Sequence, residues 1–323
     1  ALAEGAAGLT TGLTYLPANH ADAEELVALA RKMRDYDRPF AFHMRGQAGG
    51  LIPAVQEVID VACRSGAAVQ ISHHGAFGQD HWSKVPQTLD LIDEARSAGL
   101  DLTFDVVPTR EGLCALISTL PPWALAGGRE ALLERLQDPV QRERAREDWR
   151  QGRPDWQGYV RPDWETWVIT EVQSAGSQSL SGRTVANVAR ERGGDPWEVA
   201  LDLILEEEGR VGMAPLNKDH GQIEAMLRHP AGMVSGDAYV VAPYGPLSRT
   251  RPHWRSYGLY PFALRTYVRE RQALTWEAAI QRMTSVPAER YGLADRGRLQ
   301  EGWAADLVVF DPMGITERAT FTN

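Results

Sequence analysis

The sequence predicts an α/β fold in which parallel strands alternate with helices, the pattern of a β/α barrel. Three observations carry this expectation. Short apolar runs recur with amphipathic helical stretches between them, at a period of roughly 30 residues. Helical stretches stop at Gly66 and Gly99, each just before the next apolar run. Two of these runs, one β/α unit apart, end in a histidine, Phe40-Ala-Phe-His43 and Val69-Gln-Ile-Ser-His73, and a third, Met233-Val-Ser-Gly-Asp237, ends in an aspartate. In such barrels, polar residues at the C-terminal strand ends converge on one mouth.

Taken in order, Gly8 to Leu16 reads as a strand and Ala21 to Tyr36 as an amphipathic helix, with Leu26, Leu29, Ala30 and Met33 at helical spacing. Strand Phe40 to Met44, helix Ile52 to Ser65, strand Ala68 to Ser72, helix Pro86 to Ala98 and strand Leu100 to Val106 continue the alternation. It breaks between Pro121 and about Asp163, a stretch rich in Arg, Glu, Asp and Trp that reads as an inserted helical segment, either a lid over the mouth or a plain surface hairpin. It resumes with the run Glu165 to Val172, helices Arg183–Arg192 and Pro196–Glu207, the run Val211 to Leu216, helix Gly221–Arg228 and strand Met233 to Asp237. Tyr239 to Pro261, rich in Pro, Gly and Arg, reads as a site-building loop, followed by helices Phe262–Arg271 and Trp276–Met283. Residues 1–293 are thus expected to form the barrel domain. In 294–323, Ala305-Asp-Leu-Val-Val-Phe310 reads as a strand of a small separate sheet. Roughly six or seven barrel strands are counted, fewer than the eight that close such a barrel.

A chain of 323 residues that is 43% hydrophobic can bury a large core, in one big domain or two. With a net charge of −9 and no basic tract, nucleic acid is a poor partner. No apolar run approaches the roughly 20 residues that span a bilayer. Cys63 and Cys114 fit neither a disulfide framework nor a paired zinc motif. The opening ALAEGAAGLTTGL lacks the basic and apolar regions of a secretory signal, so a cytoplasmic location is expected. The chain opens without Met, which reads as processing, trimming or a missing upstream part.

Two imidazoles and a carboxylate meeting at one mouth make a metal site of the kind zinc takes. A lone strand-end histidine is more often structural, but His43 and His73 occupy matching positions one unit apart, which favours a ligand pair. Neighbouring strand residues point to opposite faces, so of His73 and His74 only one faces the axis; His73, where the strand runs out, is the expected one. Asp237 reads as a helix cap, a metal ligand or a general base, and Asp105 is the runner-up carboxylate. Arg251, His253 and Arg255 either grip an anionic substrate or only order their loop.

Several stretches resemble the C-terminal part of the N-acyl-D-amino-acid deacylases (D-aminoacylases) of the amidohydrolase superfamily. They are GLTTGLTYLP at Gly8–Pro17, HMR at His43–Arg45, VQISHH at Val69–His74, LPPWALAGG at Leu120–Gly128, RHPAGMVSGDA at Arg228–Ala238, HWRSYGLYP at His253–Pro261, RMTSVPAERYGL at Arg282–Leu293 and DRGRLQEGWAADLVVFDP at Asp295–Pro312. The resemblance covers nearly the whole chain. It implies a (β/α)8 barrel of the metal-dependent type with a small β-sandwich built from both chain ends, and zinc-assisted hydrolysis of a small-molecule amide using one or two Zn2+ ions. It implies that His43 and His73 bind zinc, that Asp237 is the catalytic aspartate, and that Tyr15, Arg251 and Arg255 line the substrate site.

The family's first-strand His-x-His pair, its metal-bridging Cys and its leading sandwich strands have no counterpart here, so a fragment or partial gene product lacking the first barrel strands is expected. Gly46 and Gln47 stand where the family has Asn-Glu, Gly75 where it has Lys, and Asp105-Val-Val-Pro108-Thr109 lacks its two tyrosines. Without these partners for a substrate carboxylate, a cyclic-amide hydrolase of the dihydroorotase or hydantoinase kind is the second expectation. A non-catalytic scaffold is the third. Open strand edges would also invite pairing with a second copy as a homo-oligomer.

Overall fold

A computed structural model describes residues 1–15, 17–152, 160–242, 244–245 and 252–322. The chain forms two compact units. The first comprises Ala1–Pro108, Lys218–Asp237 and Tyr260–Glu317; the second comprises Thr109–Asn217, Ala238–Leu259 and Arg318–Asn323.

The elements follow in order. The first unit opens with β1 (Leu9–Gly12), α1 (Ala23–Asp35), β2 (Phe40–His43), α2 (Leu51–Ser65), β3 (Val69–Ile71), α3 (Val85–Ser97) and β4 (Leu102–Val106). The second contains β5 (Cys114–Ala115), α4 (Pro122–Leu125), α5 (Gly128–Gln137), α6 (Pro139–Gln151), β6 (Val168–Ile169), α7 (Val185–Arg192), α8 (Pro196–Glu206) and β7 (Gly212–Ala214). Then come α9 (His220–Arg228), β8 (Gly232–Val234), α10 (Arg255–Ala263), α11 (Trp276–Met283) and α12 (Ser285–Arg290).

In the first unit, five strands lie parallel in the order β1-β2-β3-β4-β8, with Phe40 opposite Val69, Ile71 opposite Phe104 and Asp105 opposite Met233. Each crossover from β1 to β4 passes through a helix, as parallel pairing requires. Both sheet faces are covered: every residue of β3 and β8 is buried, as are Phe40, Phe42, Leu102, Phe104 and Val106. The covering helices present Leu26, Val27 and Met33 from α1, and Val55, Val58 and Ala62 from α2. Ile92 of α3 and Ile223, Met226 and Leu227 of α9 complete that layer. Local signals set the helix ends. Asp22 accepts the Glu25 N–H at 2.9 Å to start α1, and Gly66 ends α2 in the left-handed region at φ 65°.

At the N-terminal edge of this sheet, α11 and α12 donate guanidinium groups to strand carbonyls. Arg282 binds the Gly232 carbonyl that opens β8. Arg290 binds the Val69 carbonyl that opens β3 and pairs with Asp101 at 2.5 Å.

The second unit differs from the expected alternation. The runs 165–172 and 211–216, read as further barrel strands, pair antiparallel in a separate three-stranded sheet ordered β5-β7-β6. Each has only two or three paired residues, too short for apolar periodicity to report pairing direction. The core here is mainly aliphatic, with Leu116, Ile169, Val185, Leu203 and Ile204 buried, and tryptophans pack in and against it: Trp149 stacks on Trp197 at 4.9 Å between centroids, and Trp164 meets Trp167 edge-on at 5.3 Å. Helices α4–α6 fill 122–151, inside the stretch read as a helical insertion.

Two further expectations change. The loop read as Tyr239–Pro261 gives way to helix at Arg255, with Pro261 inside α10, and the chain continues as π-helix over Leu264–Glu270. The run Ala305–Phe310 has no assigned strand partner among the described residues, and its Leu307, Val308 and Val309 side chains are exposed. A short apolar run signals a strand, but a strand needs a neighbour to pair with. No described helix is long and apolar enough to cross a membrane.

Glu207 knots the second unit. Burial pushes its carboxyl up, but hydrogen bonds from Ser174, Ser177 and the Ser174 and Gln173 amides outweigh burial and hold it down at about 2. A folded-state pKa below the unfolded value means this contribution is present above about pH 4.3 and is lost as pH falls toward 2. We expect Glu207→Gln to cost about 1–3 kcal/mol at neutral pH, since one buried acceptor becomes a donor facing donors. Urea unfolding at pH 7 and pH 3 checks this, the variant's deficit shrinking at the lower pH. Phe104→Ala, in the fully buried middle of the parallel sheet, is expected to cost about 3–5 kcal/mol by the same assay.

Candidate functional site

Because β1, β2, β3 and β4 run parallel and in register, their C-terminal ends lie on one edge of the sheet. His43 is the last residue of β2, and His73 follows β3 by two residues. Their ring nitrogens meet, His43 Nδ1 and His73 Nε2 being 2.8 Å apart, with the rings edge-on at 4.4 Å between centroids. Tyr15, in the turn after β1, sets its exposed ring 5.0 Å from that of His43.

Consecutive histidines take opposite fates. His73 lies in the left-handed region at φ 38°, which turns its ring toward His43. His74 is fully buried on the other side, against Phe104 at 5.3 Å, with Nε2 3.0 Å from the Thr88 hydroxyl. Asp237, three residues past β8, is also left-handed, at φ 40°. A non-glycine residue with positive φ is uncommon, and two of them flank this site.

Electrostatics reinforce the geometry. Burial, then the charge of His73, lowers the His43 pKa to about 4 against an opposing pull from Asp237, which places that carboxylate within electrostatic reach of the pair. Burial, with His229, His73 and Lys218, lowers His74 to about 3. Burial raises the Asp105 carboxyl, opposed by His73 and by hydrogen bonds from Gln70, the His73 amide and Ser235. Asp105 Oδ1 accepts the His73 N–H at 2.7 Å and Oδ2 accepts from Gln70 at 2.9 Å. Gln47 donates to the His73 carbonyl at 2.8 Å.

Neutral imidazole is the metal-ligating form, and carboxylate is its common companion. If zinc were bound, His43 and His73 would hold it through their ring nitrogens. The donor chemistry fits part of a zinc site. Among the described residues no three His, Cys, Asp or Glu side chains form a complete set, in keeping with the absent His-x-His pair.

The structure therefore brings together His43, His73 and Tyr15, with Asp237 acting on His43. His253 and Arg255 are buried in the second unit, where the Arg255 N–H donates to His253 Nδ1 at 3.0 Å and the His253 ring meets Phe321 edge-on at 4.9 Å. Arg251 lies outside the described residues. The arginine of the HMR motif faces away from the chemistry: Arg45 grips Glu57 at 2.9 Å and the Asn19 and Ala21 carbonyls at 2.6 and 2.9 Å. The sequence marks Gln47 only as a departure from the family's Asn-Glu, and gives Gln70 no role. The available signal was an amide in the middle of the apolar run Val69-Gln70-Ile71, where a buried polar group needs a specific partner.

Both lowered histidines oppose folding in acid. The unfolded state takes up protons near pH 6.5 while the folded rings refuse them until about 4 and 3. With chelator present, stability is expected to fall from pH 6.5 downward, by up to about 1.4 kcal/mol per pH unit for each ring. Urea titrations at pH 7.5 and 5 measure the drop, and His43→Asn should reduce it.

Comparison with known proteins places this geometry in context. The sequence profile described as the amidohydrolase family matches residues 144–322. The N-acyl-D-glutamate deacylase of Alcaligenes xylosoxydans xylosoxydans is 32% identical over 321 residues, covering 99% of this chain and 55% of that protein. The D-aminoacylase of the same organism is 30% identical over 323 residues, covering 100% of this chain and 55% of that protein. The crystal structure of an N-acyl-D-glutamate deacylase from Bordetella bronchiseptica, in complex with zinc and a phosphonate mimic of the tetrahedral intermediate, superposes with a TM-score of 0.75 at 30% identity, covering 98% of this chain and 56% of that one. The chain spans about half the length of the curated relatives it matches. With a profile match over more than half its residues and a parallel α/β sheet that ends in a histidine pair, the chain belongs to the amidohydrolase family.

Proposed function

We propose that this chain serves zinc-dependent hydrolysis of the amide bond in N-acyl-D-amino acids, with His43 and His73 as metal ligands and Asp237 as the proton carrier. The observation that carries the reading is the facing pair of ring nitrogens, 2.8 Å apart at the C-terminal edge of a parallel sheet, with a carboxylate acting on it. The deacylases it resembles, one of them holding zinc and an intermediate mimic, supply the substrate class. The five parallel strands, hydrogen-bonded in the order β1-β2-β3-β4-β8, form the arc of a β/α barrel in this reading, and the unpaired run 305–310 belongs to a small sandwich.

Zinc, when bound, polarises the amide carbonyl and brings the pKa of a water toward 7. The chain's own residues do the rest. His43 stays neutral through the working pH range, so its nitrogen is available without a competing proton. Asp237 accepts the proton of the attacking water and returns it to the departing nitrogen. Tyr15, exposed beside His43, lines the approach of the acyl group.

The test is elemental analysis of the purified chain, followed by a panel of N-acyl-D-amino acids and cyclic amides. About one zinc per chain is expected, lost in His73→Ala, with release of free D-amino acid. Asp237→Asn should retain metal and lose about 10²–10⁴-fold in kcat. A folded chain that takes up no zinc and cleaves nothing overturns the reading, and cleavage of cyclic amides alone replaces the substrate class.

A further inference from the structure

Asp105 is the polar centre of the first unit, yet nothing in the proposed chemistry uses it. It sits at the C-terminal end of β4, only 9% exposed, and gathers donors from β3 and from the turn that follows it. Gln70 of β3 donates to Oδ2 at 2.9 Å, and Gln70 is itself held by the Thr103 hydroxyl. The His73 N–H donates to Oδ1 at 2.7 Å. Ser235, just past β8, also favours the charged carboxylate.

The consequence lies in the backbone. The last paired residues of β3 and β4 are Ile71 and Phe104, and a regular parallel ladder would continue from there through main-chain acceptors. Instead the carboxylate of Asp105 takes the His73 N–H, and its main-chain carbonyl takes the His74 N–H at 2.8 Å. One residue thereby satisfies two successive amides, and the chain between them leaves the ladder into the left-handed region at φ 38°. Gln47 fixes the His73 carbonyl from the opposite side, so both polar ends of this residue's backbone are held by side chains. That turn separates the two histidines, sending His73 toward His43 and His74 into the core. On the other flank, Ser235 is tied to the end of β4 by its N–H, which donates to the Val106 carbonyl at 3.0 Å. Asp237, at φ 40°, follows two residues later.

We propose that Asp105 is the positioning residue of the site: its carboxylate and main-chain carbonyl hold the turn at His73 in the conformation that faces His43. It contacts neither metal nor substrate. The inference rests on the hydrolase reading for its catalytic consequence, but its structural core stands on the hydrogen bonds alone.

Three variants of the full chain test it. Asp105→Asn keeps an oxygen for the His73 N–H. Asp105→Ala and Asp105→Leu remove the acceptor, and Leu preserves volume so that a cavity does not decide the outcome. Hydrogen exchange of the His73 amide is measured by NMR in chelator, and cobalt(II) affinity by titration. With Ala or Leu, exchange at His73 should rise at least about tenfold while Ile71 and Phe104 stay protected. Cobalt affinity should fall about 10–100-fold, the loss typical of a removed supporting partner. The Asn variant should stay within a few-fold of the parent in both. Where substrate turnover is measurable, Ala and Leu should lower kcat with little change in KM. Unchanged exchange and cobalt affinity in Leu overturns the proposal, as does an Asn variant as damaged as Leu, which would make the charge itself the active element. If the parent chain binds no cobalt and hydrolyses nothing, the hydrolase reading fails separately, and the exchange result still decides what Asp105 does.

Discussion

The in-register parallel pairing of β2, β3 and β4 is the constraint on which the rest of the first unit depends. Side chains alternate faces along a strand, so a slip of one residue would move every apolar side chain to the wrong face. Phe40, Phe42, Val69, Ile71, Leu102 and Phe104 are all buried in the observed register. The packing of α1, α2, α3 and α9 therefore locks the heights of the strand ends as a by-product of burying apolar surface. Once those heights are set, the residues that follow β2 and β3 meet at one level. The histidine contact is inherited from the core.

Burial also sets the electrical state of that edge. Taking imidazoles out of water favours their neutral form, and two rings in contact penalise a second proton further. The result is a His43 ring that stays neutral well into mild acid. Keeping carboxylates nearby is the costly part of the arrangement, because an unpaired buried carboxylate is strongly disfavoured. Asp105 is stabilised by donors from Gln70 and the His73 amide, and Asp237, exposed at the surface, acts on His43 through the field between them.

Much of this was legible in the sequence, for identifiable reasons. The strand–helix alternation through residue 106 is written in apolar runs and glycine stops, and the structure reproduces it to within a few residues. His43 and His73 were marked as a pair because both end apolar runs one unit apart, and the structure brings their rings together. The second unit was misread because β6 and β7 have only two and three residues, and so little sequence says nothing about direction. The tail reads as a strand from its short apolar run, although pairing is a property of two segments. The supporting roles of Gln47 and Gln70 are not legible in the sequence for a related reason. A glutamine declares no partner until the fold brings one within about 3 Å, as it does for the His73 carbonyl and the Asp105 carboxylate.

The two edges of the parallel sheet are finished by different means. At one, Arg282 and Arg290 bind the main-chain carbonyls that open β8 and β3; at the other, side chains hold a histidine turn. A guanidinium on a carbonyl does not depend on what side chain that strand residue carries, so the first edge is indifferent to most changes of strand sequence. The second edge depends on individual atoms of Gln47, Gln70 and Asp105. Such a molecule can drift: a lineage can lose or exchange the chemistry at the histidine edge one substitution at a time while the folded body persists. Inactive descendants of this domain would therefore be stable proteins, free to be recruited for other work.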